Sequence, residues 1–320
     1  MRVLVTGGAG YIGSHLVDAL CDDGHEVRVL DDMSTGRASN LEHRLDKIRL
    51  VNGSILDAEL VDHEVEHAEM VFHLAAAVGV RHIVDDPLAA ILTNTRGTEH
   101  VLAACFRYWR KVVVASTSEV YGKTPKVPMR EGDDRVLGPT NVHRWSYSTA
   151  KAIDEHLALA YAAHRLPVVI VRYFNSYGPR IDERGYGSVV ANFLRQALAG
   201  EPLTVHGDGS QSRCFTYITD TVRGTLLAGF TPEAEGLVFN LGSTREITIR
   251  EMAEMIRAAV GSASEIAPTS YESYYGPGFE DTRRRVPDIT RAREILAWEP
   301  EIELEDGLTR TIEWWQKTHA

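Results

Sequence analysis

The chain has 320 residues, of which 44% are apolar and 25% are charged, as is typical of a folded globular protein. This composition excludes a disordered chain, a collagen-like chain and a disulfide scaffold, and the length predicts two domains or one large α/β unit with an appendage. The formal net charge of −11 argues against a nucleic-acid partner, because an acidic protein repels phosphodiester backbones.

The first half of the chain alternates predicted strands and helices. Five short apolar runs are predicted as strands, at residues 2–6, 26–30, 70–74, 111–115 and 167–171. Helical patterns occur at 92–108 and 146–163. Near-continuous apolar strands joined by helices indicate a parallel sheet covered on both faces. We therefore predict a doubly wound Rossmann α/β fold over residues 1–174, to which a segment at about 216–242 returns.

After about residue 175 the chain consists of shorter elements and loops rich in Gly, Pro and Tyr. Thr248 followed by Glu251 is a capping-box pattern and predicts the start of a helix. Residues 175–215 and 243–320 are predicted to form a smaller α+β domain that binds the substrate.

Cysteine, histidine and apolar patterns limit the remaining possibilities. Cys21, Cys105 and Cys214 have no C-x-x-C spacing, and His73, His143 and His206 show no metal-ligand spacing, so neither a disulfide framework nor a metal site is predicted. No apolar run approaches the ~18 residues of a membrane span, and the N-terminus lacks a signal-peptide pattern. These observations predict a cytoplasmic protein without a membrane partner.

A glycine loop directly follows the first predicted strand. Gly8-x-Gly10-x-x-Gly13 matches the Rossmann fingerprint, and Gly7-x-x-Gly10-x-x-Gly13 matches its wider relative. Such a loop lets backbone N–H groups approach a pyrophosphate at a helix N-terminus. Asp31 ends the second predicted strand, where a carboxylate accepts hydrogen bonds from an adenosine ribose and repels a 2′-phosphate. The loop therefore predicts a dinucleotide, NAD rather than NADP.

Tyr147 and Lys151 form a candidate catalytic pair, since a spacing of four residues places both on one face of a predicted helix. A tyrosine has a pKa near ~10, and a neighbouring ammonium stabilises the phenolate and lowers that pKa. We expect Lys151 to act on Tyr147 in this way. Taken alone, the spacing also fits a chance amphipathic pair.

Several motifs in the same order resemble the nucleotide-sugar branch of the extended short-chain dehydrogenase/reductase family. Besides the glycine loop and the Tyr147/Lys151 pair, they lie at 116–122, 172–180 and 207–215, and the resemblance covers essentially the whole chain. It implies that Thr117 hydrogen-bonds the sugar C4 hydroxyl. Tyr147 would take the proton of that hydroxyl while a hydride passes to NAD, and Lys151 would bind the nicotinamide ribose.

The same resemblance implies two sets of binding residues and a homodimer. The cofactor residues are Gly7, Gly10, Tyr11, Ile12, Gly13, Asp31, Ser34, Leu74, Ala75, Tyr147 and Lys151. The residues for a UDP-sugar are Asn175, Arg180, Val205, Arg213 and Arg285. A diphosphate needs cationic partners within a net acidic protein, which agrees with the arginines in the second set. The helices at 92–108 and 146–163 match those that form the dimer interface in the family.

The catalytic subclass depends on Glu119 and on the C-terminal loop. Thr-Ser-Glu at 117–119 resembles UDP-glucuronate decarboxylases and GDP-mannose 4,6-dehydratases. The segment 273–279 resembles the decarboxylases, whereas Arg-Trp-Ser-Tyr at 144–147 also occurs in UDP-glucuronate 4-epimerases.

Chemistry favours the decarboxylase, because oxidising C4 of UDP-glucuronate places a ketone β to the C6 carboxylate, and a β-keto acid loses CO2. A carboxylic acid at Glu119, with Ser118 and Arg285, would position the leaving carboxylate and manage the proton at C5. The product would be UDP-xylose or a UDP-4-keto-pentose. The alternatives are a UDP-glucuronate 4-epimerase, another nucleotide-sugar 4-epimerase or 4,6-dehydratase, and a non-catalytic dinucleotide sensor. A separate alternative for Glu119 is a structural carboxylate that caps a turn.

Overall fold

The computed structural model describes residues 1–79, 83, 85–182, 188–270 and 280–319. Within these residues, seven strands form one sheet in which every neighbouring pair is parallel. The strands are β1 (Arg2–Thr6), β2 (Glu26–Asp31), β3 (Ile48–Asn52), β4 (Met70–His73), β5 (Lys111–Thr117), β6 (Val168–Tyr173) and β11 (Val238–Leu241).

The strand order is β11-β6-β5-β4-β1-β2-β3, so the chain winds outward in both directions from the centre of the sheet. This order confirms the predicted doubly wound Rossmann fold, and all five predicted strands are present. The sequence analysis did not single out β3 as a strand. It lies at the edge of the sheet with its residues only half-buried or exposed, so it lacks the continuous apolar signal of the central strands.

Helices cover both faces of this sheet. They are α1 (Tyr11–Asp22), α2 (Ala58–Glu66), α3 (Pro87–Tyr108), α4 (Arg144–Ala163) and α6 (Ile218–Phe230). Alternate residues of β5 enter the two cores: Val113 packs on one side, whereas Val112 and Val114 pack on the other. In the described part of the chain, no helix combines the length and apolar character needed to cross a membrane.

The two predicted helices begin earlier than expected. The helix predicted from residue 92 starts at Pro87, where Asp86 accepts the Ala89 N–H at 3.0 Å. Proline fits the first turn because the N–H that it lacks would have no partner in the helix. The Asp-Pro pair at 86–87 therefore marks the start of this helix, which hydrophobic periodicity alone does not show. The helix predicted from 146 starts at Arg144, and that shift brings a further charged side chain onto the helix.

Within the described residues, the later part of the chain forms smaller sheets and further helices. The strands are β7 (Ser176–Tyr177), β8 (Leu203–His206), β9 (Ser212–Cys214), β10 (Thr216–Tyr217), β12 (Glu246–Thr248), β13 (Ile266–Thr269) and β14 (Arg284–Arg285). The helices are α5 (Val189–Ala199), α7 (Ile249–Ala259), α8 (Thr290–Leu296) and α9 (Leu304–Thr318). They form the sheets β12-β9-β14, β13-β8 and β10-β7.

Two expectations concern this part of the chain. The capping box is confirmed, since the Thr248 hydroxyl accepts the Glu251 N–H at 3.1 Å and the Glu251 carboxylate accepts the Thr248 N–H at 2.7 Å.

Strand β11 pairs with β6 of the large sheet, although most of the neighbouring chain lies outside that sheet. The division at 1–174, with a return at about 216–242, stays a prediction. The segment 273–279 lies outside the described residues.

The buried histidine at the end of β4 predicts how stability depends on pH. His73 Nδ1 lies 2.8 Å from Thr6 Oγ1 and its Nε2 lies 3.0 Å from Thr98 Oγ1. Burial, reinforced by the Lys151 charge, lowers the pKa of His73 to about 3, and burial lowers the pKa of His15 to about 4.

Both histidines stay neutral in the folded protein but bind protons in the unfolded chain, where the pKa is near ~6.5. Above that pH the two histidines are neutral in both states and do not reduce the free energy of unfolding. As the pH falls below it, proton binding to the unfolded chain reduces that free energy. We expect the free energy of unfolding in urea to decrease below about pH 6.5, by about 1.4 kcal/mol per pH unit for each histidine. His73→Gln should have a shallower slope than the wild type. Equal slopes in the two proteins would contradict the assignment.

Candidate active site

Two clefts meet at the carboxyl ends of the central strands. The first has a volume of about 670 Å³ and runs along the glycine loop and the ends of β2, β4 and β5. The second has a volume of about 400 Å³ and lies between α5, β8, β9 and β14. They share Glu119, Asn175, Ser176 and Arg285 in their walls. They therefore form one continuous site at the switch point of the sheet, where doubly wound folds bind ligands.

The glycine loop has the shape that a dinucleotide pyrophosphate requires. Gly10 is the N-cap of α1, has no side chain to cap the helix, and no acidic residue occupies the first turn. A Cβ added to Gly13 would lie 2.1 Å from Gly7 O, and one added to Gly7 would lie 2.6 Å from Ala75 N. Gly7 also has a φ of +71°, which other residues rarely adopt. The N–H groups at the N-terminus of α1 are therefore not capped by a side chain and can bind an anion.

The acidic end of the first cleft fits an unphosphorylated adenosine ribose. Asp31 Oδ2 accepts the Ala9 N–H and its Oδ1 accepts the Met33 N–H, each at 2.9 Å. Burial raises the pKa of Asp31, against the lowering effect of these backbone hydrogen bonds. Asp32 lies beside it and accepts the Ser34 hydroxyl at 2.6 Å. Two neighbouring acidic side chains disfavour a 2′-phosphate, in agreement with NAD.

The other predicted cofactor residues lie along the same cleft. Its walls include Tyr11, Ile12, Ser34, Leu74, Ala75, Tyr147 and Lys151. The structure therefore brings together every residue that the sequence analysis assigned to the cofactor.

A methyl group at Gly13 should block this cleft. The Cβ of Gly13→Ala would lie 2.1 Å from Gly7 O and 2.8 Å from Gly8 Cα, so the loop has to move. We expect a large loss of NAD affinity in calorimetric titration and a stability loss of about 1–3 kcal/mol. Gly132→Ala is the matched control, because a Cβ there meets nothing within 4 Å. Wild-type NAD affinity in Gly13→Ala would contradict a role of the loop in cofactor binding.

The tyrosine and lysine of α4 both face the first cleft, but their electrostatics differ from the prediction. Burial raises the pKa of Tyr147, and the negative charges of Glu119 and Asp154 raise it further, against a hydrogen bond from Thr117. Lys151 Nζ lies 2.9 Å from Asp154 Oδ2, and both side chains are buried. The expected lowering of the Tyr147 pKa by Lys151 is therefore wrong for the free protein. Burial dominates, and the lysine is paired with its own helix neighbour.

The turn after β5 places Thr117, Ser118 and Glu119 in the cleft. Thr117 caps a 3-10 helix at Ser118–Tyr121, and its hydroxyl accepts the Glu119 N–H at 3.2 Å. Ser148 of α4 donates its hydroxyl to Glu119 O at 2.8 Å. These hydrogen bonds fix the turn against the helix that carries the tyrosine and lysine.

Glu119 is held between two buried arginines. Its Oε2 pairs with Arg144 Nη1, its Oε1 accepts Arg144 Nη2 at 3.1 Å, and Arg285 Nη1 lies 3.6 Å from Oε1. Burial alone would raise the pKa of Glu119, but the charges of Arg144 and Arg285 outweigh it, so the pKa lies below its usual value. The carboxylic acid expected at Glu119 is therefore wrong for the free protein, where the group is an ionised carboxylate.

A second carboxylate completes a cluster of charges in the second cleft. Arg213 Nη2 donates to Asp281 Oδ2 at 3.0 Å, and Arg144 Nη2 lies 3.7 Å from Asp281 Oδ1. Together with Arg285 and Glu119, these residues are three guanidinium groups and two carboxylates, which leave one net positive charge. We name these five residues the arginine cluster.

Sequence reasoning missed Arg144 and Asp281 as site residues. Arg144 precedes Tyr147 by three residues on the same helix, and that spacing is a signal that could have identified it. Asp281 has no comparable local signal, because it reaches the cleft only through the fold.

Two predicted substrate residues on the segment after β6 lie differently. Asn175 lines both clefts and donates its side-chain N–H to Cys214 O at 3.0 Å. Arg180 is in neither wall, and it donates to Asp18 Oδ2 of α1 at 2.7 Å. The expected contact between Arg180 and the substrate is therefore not supported, because Asp18 draws its guanidinium away from the cleft.

Val205 also departs from its expected place. It is 1% exposed and packs in the core, whereas Thr204 and His206 line the second cleft. Side chains alternate along β8, so the flanking residues face the cleft and the Val205 side chain faces away from it. Its expected side-chain contact with substrate is not supported.

The sequence predicts no metal site. Among the described residues, one group has ligand atoms within 4.8 Å of one another, formed by His63, Glu66 and His67. All three are exposed at the end of α2, and neither cleft includes them. This group is therefore separate from the candidate active site.

Comparisons with known proteins agree with this fold and site. The family model of GDP-mannose 4,6 dehydratase matches residues 4–311. The chain is 42% identical over 317 residues to UDP-N-acetyl-alpha-D-glucosaminuronate decarboxylase of Bacillus cytotoxicus, covering 99% of this chain and 98% of that one. It is 38% identical over 322 residues to UDP-glucuronic acid decarboxylase 1 of Xenopus tropicalis, covering 99% of this chain and 72% of that one.

A solved structure provides the comparison in three dimensions. UDP-glucuronic acid 4-epimerase from Bacillus cereus, in complex with UDP-glucuronic acid and NAD, matches with a TM-score of 0.88 and 29% identity over 100% of both chains. The resemblance found in the sequence motifs is thereby confirmed. The chain belongs to the GDP-mannose 4,6-dehydratase family, a group with the extended short-chain dehydrogenase/reductase fold.

Proposed function

We propose that the protein decarboxylates UDP-glucuronate through a C4-keto intermediate, giving UDP-xylose or a UDP-4-keto-pentose. The coarser assignment, a nucleotide-sugar-modifying enzyme that uses NAD, follows from the family and from the fit of the glycine loop and Asp31. Two relatives that bear decarboxylase names support the finer one. NAD, when bound, supplies the hydride acceptor for C4 and a positive charge on its nicotinamide ring.

The observation that carries the proposal is the arginine cluster beside Tyr147 and Thr117. Arg144 and Arg285 together more than balance the negative charge of Glu119. A second carboxylate next to Glu119 would therefore lie in a region of net positive charge. The C6 group of a neutral hexose carries no charge that could pair with these arginines, whereas the C6 carboxylate of a uronate does. The cluster therefore favours an acidic sugar as the substrate.

The chain's own residues account for the proton transfer at C4. Thr117 would hydrogen-bond the C4 hydroxyl, and Tyr147 would take the hydroxyl proton at its Oη. Because the pKa of Tyr147 is raised in the free protein, the phenol must release its own proton to solvent before its phenolate can accept that of the C4 hydroxyl, and positive charge in the first cleft would favour that phenolate.

The loss of CO2 follows from the ketone at C4. The bond between C5 and C6 breaks, its electron pair enters an enolate over C5 and C4, and C5 later gains a proton. Arg285 provides positive charge for the enolate. An ionised Glu119 must take up a proton from solvent before it can donate one, so we assign it the role of a relay that accepts a solvent proton and passes it to C5, and not of the initial acid.

The test is the mass of the product after incubation with NAD and either UDP-glucuronate or UDP-N-acetylglucosaminuronate. Loss of one CO2 from UDP-glucuronate supports the proposal. Loss of CO2 only from the N-acetylated sugar moves the assignment to the reaction named for the Bacillus cytotoxicus relative. Formation of UDP-galacturonate at unchanged mass would establish the second candidate, a UDP-glucuronate 4-epimerase, which the Bacillus cereus structure favours.

We also propose that a second copy of the chain covers the outer surface of α3 and α4. These helices pack against each other and expose apolar side chains, including Leu88 at 66% and Ile153 at 43% exposure. A homodimer would bury this surface. Light scattering should report twice the single-chain mass for the wild type and the single-chain mass for Leu88→Glu combined with Ile153→Glu. A wild-type monomer would contradict the dimer. A cytoplasmic location stays a prediction.

A further inference from the structure

We propose that Arg144 is a positioning residue, which holds Glu119 as an oriented carboxylate in the cleft and leaves Arg285 available to the substrate. The catalytic consequence rests on the proposed function. The electrostatic part concerns only the protein and is tested without a substrate.

The contact between Arg144 and Glu119 has a defined geometry. Two guanidinium nitrogens of Arg144 face the two different carboxylate oxygens, Nη1 on Oε2 and Nη2 on Oε1. A paired contact of this kind fixes the plane of the carboxylate as well as its distance. Arg144 is 5% exposed and the Glu119 side chain 16%, so water competes little for either group.

The place of Arg144 in its helix points to the same role. It is the first residue of α4, and its N-cap, His143, makes no side-chain capping hydrogen bond. A cation at a helix N-terminus opposes the helix dipole, and burying one adds a desolvation cost. Arg144 is therefore unfavourable for the helix itself. We infer that its role comes from its ion pairs with Glu119 and Asp281.

The other two arginines of the cluster differ from Arg144 in their hydrogen bonds. Arg213 donates to Ser212 O at 2.8 Å and to Asp281 at 3.0 Å. Arg285 is 5% exposed, its nearest approach to Glu119 is 3.6 Å, and its Nε has no hydrogen-bond partner among the described residues. Arg285 therefore approaches Glu119 less closely than Arg144 does and has a buried Nε–H donor left for the substrate. Without Arg144, Glu119 would have Arg285 as its nearest cation and would draw it out of this position.

The charges that face Glu119 allow the effect to be stated with its sign. Burial and Asp281 raise the pKa of Glu119, whereas Arg144 and Arg285 lower it, and Tyr147 lies close enough for its own pKa to respond to Glu119. Removing the Arg144 charge leaves burial largely uncompensated. We expect the pKa of Glu119 to rise by about one to three units, as is usual when a close counter-charge is lost.

The experiment uses the full-length protein labelled with 13C at the glutamate side-chain carboxyl, titrated by NMR between pH 3.5 and pH 8.5. The Glu119 resonance is assigned as the one missing from Glu119→Gln. In Arg144→Gln, we expect its midpoint to move up by at least one unit. In Arg144→Lys, which keeps the charge but not the paired geometry, we expect a smaller change. An unchanged Glu119 midpoint in folded Arg144→Gln would overturn the proposal.

Arg245→Gln is the matched control. Arg245 pairs with Glu305 on the surface, and this hydrogen-bonded pair lowers the pKa of Glu305 to about 2. The control should move the Glu305 resonance and leave that of Glu119 unchanged. Movement of Glu119 in this variant would also contradict the proposal, because it would show that distant charges suffice.

Activity provides a separate measurement. If the wild type decarboxylates a UDP-uronate, the acid limb of kcat against pH should move upward in Arg144→Gln by the same amount as the NMR midpoint. If the wild type has no such activity while the NMR midpoint still moves, the proposed function fails and the positioning role stands. If activity is present and neither the midpoint nor the acid limb moves, Arg144 has only a structural role.

Discussion

Tyr147→Phe should lose about 10²- to 10⁴-fold in product formation while its affinity for NAD stays close to that of the wild type. The substitution removes only the phenol oxygen, which is the atom proposed to take the C4 hydroxyl proton. It leaves the half-buried ring in place and the Lys151–Asp154 pair intact. Initial rates with UDP-glucuronate, read from product mass, and calorimetric NAD titration measure the two effects separately.

Tyr161→Phe is the control, because Tyr161 lies on the same helix and its ring packs against Phe106, outside both clefts. It should keep wild-type turnover. Turnover of Tyr147→Phe within a few-fold of the wild type would remove Tyr147 from the proton transfer, and so would an equal loss in both variants.

Glu119→Gln should bind NAD normally and form product at least about 10²-fold more slowly. Glutamine keeps the size of the side chain but not its charge, so the net charge of the arginine cluster rises by one. Arg144 and Arg285 then lose Glu119 as a carboxylate partner, and the group proposed to relay a proton to C5 is gone. The rate is measured as product mass over time, at saturating NAD.

Glu305→Gln tests whether loss of any ion-paired glutamate has this effect. Glu305 pairs with Arg245 on the surface, far from the clefts, and its variant should turn over normally. Near-normal turnover of Glu119→Gln would leave Glu119 with the structural role that the sequence analysis kept as an alternative. Thermal unfolding of both variants separates a catalytic effect from loss of folded protein.

The fold and the cofactor cleft could be predicted because their signals are local. A central strand such as β5 has a continuous apolar run at 112–115, and the glycine spacing at 7–13 is set by steric contacts within a few residues. Both patterns therefore stand in the sequence itself. The missed strand β3 lies at the edge, where one-sided exposure weakens the pattern.

The arginine cluster could not be predicted in the same way. Arg144 and Asp281 are 137 positions apart and meet only after the later part of the chain has folded onto α4. The charge states depend on this meeting, since burial raises the pKa of Tyr147 and two arginines hold Glu119 ionised. Sequence motifs assign Arg180 and Val205 to the substrate, but their side chains do not line the clefts. A motif identifies the type of a residue, whereas the direction of its side chain depends on neighbours brought near it by the fold.

The shared wall of the two clefts has a thermodynamic consequence. Glu119, Asn175 and Arg285 belong to both surfaces, so a ligand in one cleft changes the surface that the other ligand meets. Any factor by which NAD changes the affinity for the nucleotide sugar must equal the factor by which the sugar changes the affinity for NAD. A sugar that tightens this common wall would thereby slow the escape of the reduced cofactor, and hydride return to C4 would compete better with release of the keto product.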